Sequence, residues 1–507
     1  MESLEEKQAF KKKIAPPPGN IRSLVQPLLL VFLKAIANLY PERQYYIAYS
    51  IPGGVYGYFK DHKLHISELE KIKAEIKKLI HQRKDFVQQL MPKEKILRYF
   101  DYHNRPDILE LLYSHNRETD EEMHLAEFDG EGELFLSRIN EHYELLNNFQ
   151  FFKYKDGFFL IADPVFYEKV MPRKLQISKY LKRFSESEEN MKHFGIENFA
   201  QLNDAITNGE LPEFIKISEA YQSKRIGRIA DNIVSHPLKP RLIFLAGPTS
   251  SGKTTSANRL AIELKVLKKR VLIISLDNFY LPHEKIVPDE ETGIRNFERI
   301  TALDLPLFRD TIQQLLSGNP VNMPRYHFDG KGAIPEPKTT TITKDTYVIV
   351  EGIHGLNPEL WKETLDIESY RLFVSALNTL NIHDHMPLST SDHRLIRRLV
   401  RDHLFRGYSF NETITRWPDV IKNEYHSIFP FQESAHAIFN SSLIYEIAVF
   451  AHYAPGILDA SRADNQLIRE EVLRINRILK LLKPINPKDI PPTSILREFI
   501  GGSSFVY

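Results

Sequence analysis

The segment Gly247-Pro-Thr-Ser-Ser-Gly252-Lys253-Thr254 matches the pattern G-x-x-x-x-G-K-[ST] at every position. Its glycines let the backbone wrap around a phosphate, so that consecutive N–H groups point inward. The lysine of this pattern bridges the β- and γ-phosphates, and the hydroxyl that follows it ligates magnesium. The segment therefore predicts a site for ATP and Mg²⁺, with nucleotide-binding residues Gly247, Pro248, Thr249, Ser250, Ser251, Gly252, Lys253, Thr254 and Thr255.

The sequence on either side of this loop predicts the strand and the helix that such a site needs. The apolar run 242–246 precedes it, and Ala257, Leu260, Ala261 and Leu264 recur on one face of the helix that follows. A helix that begins here places its N-terminus beneath the phosphates. The alternative, a Gly/Ser loop that matches by chance, does not account for these flanking elements.

Continuous apolar runs recur after residue 240, at 271–276, 347–350 and 372–374, with amphipathic helices between them. Runs without alternation are typical of strands buried on both faces, as in a parallel sheet covered by helices. The sequence thus predicts an α/β fold: a P-loop kinase domain with helices on both faces of a parallel sheet, preceded by an α+β domain.

A chain of 507 residues is too long for a single core. Its pattern changes from mixed helix and strand to charged helix, and then to buried strands from about residue 240. We predict five segments, namely a flexible N-terminus (1–20), an α+β domain (21–165), a helical linking segment (166–237), a P-loop domain (238–455) and a C-terminal helix and tail (456–507).

The composition excludes several functional classes. Lys and Arg number 67 against 66 Asp and Glu, without a dense basic patch, so there is no strong signal for nucleic acid. The chain has no cysteine, which excludes disulfides, thiol nucleophiles and cysteine-ligated metals. The longest apolar run, 28–33, is too short to cross a bilayer, and residues 1–10 lack the apolar stretch of a signal peptide. We predict a cytoplasmic protein without membrane contact, and leave open whether it is a homo-oligomer.

Two carboxylates follow two of the predicted strands. Asp277 comes after the run 271–276, and Glu351 comes after the run 347–350. The carboxyl ends of parallel strands form the ligand-bearing edge of an α/β sheet. Phosphate transfer to a hydroxyl needs a base there and an acidic group near magnesium. We predict that Glu351 holds the metal together with Thr254, whereas a turn or cap role is the alternative for Asp277.

Arginines lie at i, i+3, i+4 and i+7 along one predicted helix face, and a further arginine follows at its end. They are Arg394, Arg397, Arg398, Arg401 and Arg406. A solvated basic face is the usual explanation of such a pattern. Phosphate transfer needs cations around the developing charge, however, and a closing helix of arginines supplies them.

Taken together, these residues resemble the uridine kinase family, within the wider uridine kinase–phosphoribulokinase group. The resemblance is carried by GPTSSGKTT (247–255), SLDNFY (275–280), NFE (296–298), MPRYHF (323–328), VIVEGIHGL (348–356) and RLIRRLVRDHLFRG (394–407). It implies that Asp277 is the base for the ribose 5′-hydroxyl and that Lys253 is the second catalytic residue. It also implies substrate-binding roles for Glu298, Tyr326, Arg398 and Arg401, and a lid containing Arg394, Arg397 and Arg406.

The segment that would read the base departs from the family pattern. The order here is Tyr326-His-Phe328, and 329–331 is Asp-Gly-Lys where a histidine is expected. We therefore expect ATP- and Mg-dependent phosphorylation of a nucleoside, of the uridine or cytidine type, with another sugar-like or phosphosugar alcohol as the alternative acceptor. An alternative of another class is a nucleotide-dependent switch that binds RNA or tRNA.

The front of the chain resembles the second, editing-type domain of threonyl-tRNA synthetases, on the residues Leu39-Tyr-Pro41, the run 51–59 and the helix after Ser67. The histidines and the cysteine of that hydrolytic site are missing, so we expect no editing. What remains is a cleft lined by four tyrosines, or core aromatics at the same places, namely Tyr45, Tyr46, Tyr56 and Tyr58. The tail 497–505, REFIGGSSF, resembles the tail of a bacterial class that joins a synthetase-like front half to a uridine-kinase-like half. On that resemblance we expect it to be docked, although its composition favours disorder.

Two histidine motifs have ordinary explanations. His383-Asp-His385 lacks further ligands at suitable spacing, so we interpret it as a polar loop rather than a metal site. His354 lies three residues after Glu351, and a structural hydrogen bond is the favoured role for it.

Overall fold

The computed structural model describes residues 22–115, 122–139, 146–171, 178–288, 295–327, 332–361, 368–453 and 465–506. Two parts that the sequence analysis singled out lie outside these ranges. They are the predicted flexible segment 1–20 and residues 328–331, which belong to the segment that would read the base.

The described residues of the front half form two antiparallel sheets and four helices. In chain order these are α1 (Arg22–Leu39), β1 (Tyr45–Ile51), β2 (Gly54–Phe59), α2 (Ile66–Gln82), β3 (Phe86–Pro92), α3 (Lys93–Tyr102), α4 (Pro106–Ser114), β4 (Glu122–Phe128), β5 (Glu131–Phe135), β6 (Gln150–Tyr154) and β7 (Gly157–Ile161). One sheet has the order β1-β2-β7-β6 and the other β3-β4-β5. Apolar side chains of α1 and α2 share a core with the first sheet, in which the Phe32 and Phe158 rings lie 5.0 Å apart.

Four helices follow, namely α5 (Pro164–Val170), α6 (Lys179–Phe194), α7 (Phe199–Thr207) and α8 (Leu211–Val234). Local signals fix their ends: the Ser178 hydroxyl caps α6, Gly195 ends it in the left-handed conformation, and Asn198 forms a capping box at the start of α7. Ile226, Ile229 and Ile233 of α8 belong to the same core as the P-loop half. Helix α8 therefore packs on the P-loop half.

The P-loop half is built on a parallel sheet of five strands. Its elements are β8 (Leu242–Ala246), α9 (Lys253–Val266), β9 (Arg270–Ser275), α10 (Leu305–Leu316), β10 (Val321–His327), β11 (Gly332–Thr340), β12 (Thr346–Glu351), β13 (Ser369–Ser375), β14 (Asn381–His383), β15 (Met386–Pro387), α11 (Thr390–Arg401), α12 (Phe410–Ser427), β16 (Ala437–Asn440), α13 (Glu446–Tyr453), α14 (Gln466–Lys480) and α15 (Arg497–Ile500). The strand order is β16-β13-β8-β12-β9, and every pair in it is parallel.

This sheet confirms the predicted fold class. All five residues of the central strand β8 are buried, as the absence of alternation predicted. Because the strands are parallel, the loop after β8, the turn after β9 and the end of β12 meet at one edge. Among the described residues, no helix is both long enough and apolar enough to cross a membrane.

Candidate active site

The P-loop leaves β8 through a position that only glycine can occupy. A Cβ on Gly247 would lie 2.0 Å from the carbonyl oxygen of Val374 in the neighbouring strand. Gly252 has φ of +79° and forms the N-cap of α9, a conformation that disfavours other residues. The loop is therefore held tightly between β8 and α9, with the first-turn N–H groups of α9 at its end.

Lys253 is the first residue of α9, and its side chain folds back over the loop. Its Nζ donates a hydrogen bond to the carbonyl of Pro248 at 3.0 Å. Burial lowers the pKa of Lys253, while the carboxylates of Glu351, Glu498 and Asp277 oppose that shift. The lysine therefore lies within electrostatic range of both predicted strand-end carboxylates.

Glu351 is the last residue of β12, and its side chain is buried. Burial and the neighbouring Asp277 raise the pKa of Glu351 to about 7, although Lys253 and a hydrogen bond from Ser275 act in the opposite direction. Two carboxylates and one lysine thus converge at the sheet edge.

Asp277 lies in a 3₁₀ turn (276–279) just beyond β9, and its N–H is capped by the Ser275 hydroxyl. The side chain of Asp277 is exposed. The protein packed around it nevertheless desolvates the carboxyl and raises its pKa, against the effects of Lys253 and Arg406. Asp277 thus lies in a capped turn at this edge, and its role as a base stays a prediction.

The oxygen donors at this edge suit magnesium. Among the described residues, no three His, Cys, Asp or Glu side chains are grouped so that they alone could hold a metal. Magnesium usually takes one or two carboxylates, and completes its shell with water and substrate phosphates. Thr254, in the first turn of α9, and the buried Glu351 remain the predicted oxygen ligands.

Glu298 lies within electrostatic range of the P-loop lysine. Burial and the neighbouring Glu424 raise the pKa of Glu298 to about 7, while Arg398, Lys253 and Arg394 lower it. Its own N–H donates to the side chain of Asn296 at 2.8 Å, which fixes the turn that presents it. The structure thus brings Glu298 close to the phosphate site, as a substrate-binding role requires.

Tyr326 lies on β10, close to the turn that carries Asp277. Its N–H donates to the Asn278 side chain at 3.3 Å, and its ring centroid lies 5.7 Å from that of Tyr280. Burial raises the pKa of Tyr280, and Asp277, Glu298 and Tyr326 add to the shift. Tyr280, which the sequence analysis did not single out, therefore lies among the predicted acceptor-site residues.

Two of the predicted lid arginines are buried structural residues. Arg394 is 1% exposed and forms a two-pronged ion pair with Glu424, at 2.6 and 2.7 Å. Arg397 is fully buried and pairs in the same way with Glu446, at 2.7 and 2.8 Å. Both guanidinium groups are thus buried and ion-paired in this structure, and their assignment to a closing lid stays a prediction.

These two buried arginines donate hydrogen bonds to the P-loop. Arg394 donates to the carbonyl of Thr249 at 3.1 Å, and Arg397 donates to the carbonyl of Ser250 at 3.2 Å. Glu424 completes the arrangement by accepting from the N–H of Thr249 at 2.8 Å. The loop is thus anchored from α11 and α12 through both its donors and its acceptors.

The other two arginines of α11 are less completely buried, and Arg406 follows just beyond the helix. Arg398 donates to the Thr249 hydroxyl at 3.3 Å, and Arg401 donates to the Ser250 hydroxyl at 3.2 Å. Burial and Arg406 lower the pKa of Arg401 to about 10. Arg406 pairs with Asp402 at 3.4 Å and is half exposed. Arg398 and Arg401 thus contact the P-loop directly, and what these cations bind remains a prediction.

Three glutamates of the site were missed by the sequence analysis, namely Glu424, Glu446 and Glu498. The four-arginine face implies acidic partners, since buried cations require them, but the pattern does not say where along the chain they come from. Only Glu498 lay within a segment that had been singled out, the tail 497–505, which the structure shows docked on the protein.

The histidine motifs differ from their expected roles. His383 is fully buried and approaches Asp107 at 3.6 Å, while His385 lies 2.7 Å from Glu133, so this segment is part of a buried ionic cluster and not a polar loop. His354 is 1% exposed, and neither ring nitrogen has a hydrogen-bond partner among the described residues. The part of the chain that the structure describes therefore offers no partner for the predicted hydrogen bond, and burial lowers the pKa of this ring to about 4.

Comparison with known proteins covers the P-loop half. Residues 242–448 match the family described as Phosphoribulokinase / Uridine kinase. Uridine-cytidine kinase B of Dictyostelium discoideum is 30% identical over 210 residues, or 41% of this chain and 77% of that protein. A uridine kinase of Lactobacillus helveticus is 31% identical over 37% of this chain and 80% of that protein. The structure of a possible uridine kinase from Bacillus stearothermophilus aligns with 30% of this chain and 79% of its own, at 20% identity and a TM-score of 0.24.

Proposed function

This chain belongs to the phosphoribulokinase and uridine kinase family, and from that premise we propose that it phosphorylates the 5′-hydroxyl of a uridine- or cytidine-type nucleoside with ATP and Mg²⁺. The observation that carries the proposal is the meeting of Lys253, Asp277 and Glu351 at one edge of the parallel sheet. The chain is an ATP-dependent kinase, and this convergence supports transfer to an alcohol rather than nucleotide binding alone.

In this reaction Asp277 accepts the proton of the acceptor hydroxyl. The hydroxyl oxygen forms a bond to the γ-phosphorus while the bond to the bridging oxygen of ADP breaks. Lys253 and the α11 cations Arg398 and Arg401 stabilise the negative charge on the phosphoryl oxygens during transfer. The raised pKa of Asp277 suits a base, because a stronger base takes up the proton more readily.

Thr254 and Glu351 are the residues that would hold magnesium, which neutralises charge on the β- and γ-phosphates when it is bound. Glu298 and Tyr326 are proposed to contact the acceptor. Their support is position: Glu298 lies near Lys253 and Arg398, and Tyr326 packs beside Tyr280.

The acceptor is tested by supplying γ-labelled ATP with uridine, cytidine, other sugar alcohols and phosphosugars, and measuring labelled product. We expect transfer to uridine or cytidine, and loss of transfer in a folded Lys253→Ala variant. Transfer only to another alcohol would keep the chemistry and change the substrate. ATP hydrolysis without transfer to any acceptor would overturn the kinase proposal in favour of a nucleotide-driven switch.

For the front half, we propose a threonyl-tRNA synthetase-like domain without editing activity. Of the four tyrosines of the expected cleft, Tyr45, Tyr46 and Tyr56 are buried core residues and only Tyr58 is partly open. His62 is held by Asp61 and Glu68. The full-length protein should leave seryl-tRNA(Thr) at its spontaneous rate of hydrolysis, and enzymatic deacylation would refute this proposal.

A further inference from the structure

The segment before and within α15 packs against the nucleotide site. Phe499 is fully buried, and its ring lies under the guanidinium groups of Arg397 and Arg401, at 4.9 and 5.6 Å. A Cβ on Gly252 would lie only 3.2 Å from a methyl group of Ile495, so this segment also touches the end of the P-loop. Glu498 lies between Ile495 and Phe499, so these two contacts fix its position relative to the P-loop.

Glu498 reaches into the first turn of α9. One oxygen of its carboxylate accepts hydrogen bonds from the N–H of Thr255 at 3.2 Å and from its hydroxyl at 2.6 Å. The other oxygen accepts from Arg401 at 3.4 Å. The Glu498 side chain is only 10% exposed, so this is a defined contact between charged and polar groups.

The donors that Glu498 uses are of the kind that a P-loop offers to a nucleotide. The N–H groups at the start of the helix after the glycine-rich loop bind phosphate oxygens, and a nearby arginine adds positive charge. A carboxylate oxygen at these donors and a phosphate oxygen at the same donors would lie within contact distance of each other. Two anions so close repel strongly in a partly buried site, so both cannot hold these donors at once.

We propose that Glu498 is an affinity-determining residue of the nucleotide site, whose carboxylate competes with a nucleotide phosphate for Thr255 and Arg401. The inference rests on the proposed function only in assuming that the P-loop binds ATP. It follows that ATP must displace the carboxylate. The apparent affinity for ATP is then the intrinsic affinity multiplied by the fraction of molecules in which the tail contact is open. Nucleotide binding and release of the tail contact are therefore coupled.

The opposite role for Glu498 makes the opposite prediction. If the carboxylate served to orient Thr255 and Arg401 for the nucleotide, its loss would weaken binding. Glu498→Gln distinguishes the two roles, because it removes the charge while it keeps the size of the side chain. A matched control is Asp489→Asn, which removes a carboxylate from the same C-terminal segment at an exposed position.

The experiment is titration calorimetry of the full-length protein with Mg·ADP. We expect Glu498→Gln to bind about ten- to a hundredfold more tightly than wild type, the range for loss of one competing hydrogen bond to a charged group, and Asp489→Asn to bind as wild type does. Unchanged or weaker binding by Glu498→Gln would overturn the proposal, while binding by wild type would leave the P-loop assignment intact. Failure of both proteins to bind nucleotide would instead overturn the nucleotide site itself.

A second measurement covers the case in which the variant does not fold. Hydrogen exchange of the wild-type amides in 494–501 is compared with and without saturating Mg·ADP. We expect faster exchange of the Arg497, Glu498, Phe499, Ile500 and Gly501 amides in the nucleotide complex. Equal or slower exchange there, in a sample shown by calorimetry to be saturated, would overturn the proposed displacement.

Discussion

Asp277 and Glu351 illustrate what single residues of this chain reveal before a structure is available. Each follows a run of buried apolar residues, and the ends of parallel strands share an edge, so their proximity to Lys253 could be predicted. Their electrostatic states could not. The pKa of Glu351 rises to about 7 because of burial and because of Asp277, and both causes depend on how three strands are packed.

Replacement of Asp277 by Asn should lower kcat by about 10²–10⁴-fold with little change in ATP affinity, because an amide cannot take up the proton of the acceptor hydroxyl. The measurement combines steady-state kinetics with equilibrium ATP binding. Glu284→Gln, at an exposed position shortly after the same turn, is the control and should leave kcat unchanged. A parallel collapse of ATP affinity in Asp277→Asn would move this residue from the acceptor side to the metal or nucleotide side.

At the scale of elements, α11 shows the limit of reading a helix from periodicity. The spacing of its arginines correctly predicted one shared helix face. It could not predict that this face turns inward, because burial of arginines depends on acidic partners that arrive from α12 and α13, 30 and 49 residues later for Arg394 and Arg397. A solvated basic face and a buried ion-paired face have the same local sequence pattern.

The same helix provides a prediction about stability. Arg397→Ala should lower the free energy of unfolding by about 3–5 kcal/mol, because it leaves Glu446 buried without its guanidinium partner. Arg406→Ala should change the free energy of unfolding by less than about 1 kcal/mol. The Arg406 side chain is half exposed, and its partner Asp402 keeps Arg398 as another cation. Urea denaturation followed by circular dichroism measures both. Equal losses in the two variants would contradict the assignment of Arg397 as a buried anchor.

At the scale of the whole molecule, the front half and the P-loop half meet through a buried ionic cluster. Arg105 pairs with Asp107 at 2.9 Å and with Glu133 at 3.0 Å, and both carboxylates face His383 or His385 from the other half. The sequence predicted both halves separately from their patterns. It could not predict this junction, since residues 252 positions apart must meet to form it.

Acid should weaken this junction. Burial opposes ionisation of Glu133, but Arg105, His383 and His385 outweigh it and lower the pKa of this carboxyl to about 2, against about 4.3 in an unfolded chain. A depressed carboxyl pKa contributes stability above the unfolded value, and this contribution is lost as the pH falls towards about 2. Urea midpoints at pH 5, 4 and 3 should fall less steeply in Glu133→Gln than in wild type. Exposed Glu70→Gln is the control, and an identical slope in wild type and Glu133→Gln would remove Glu133 from the acid response.

The junction also has a consequence for the order in which the protein is made. The N–H of Ile47, on the edge strand β1, donates to the carbonyl of Asp384 at 2.9 Å, and the Asn381 side chain donates to the carbonyl of Ile47. During translation, therefore, β1 leaves the ribosome more than three hundred residues before the hairpin β14–β15 that covers it. An open sheet edge is prone to wrong pairing, and the nascent front half carries one through the synthesis of the entire P-loop. The interval in which this β1 edge is open to aggregation or to capture by chaperones ends when residue 384 reaches the folded front half.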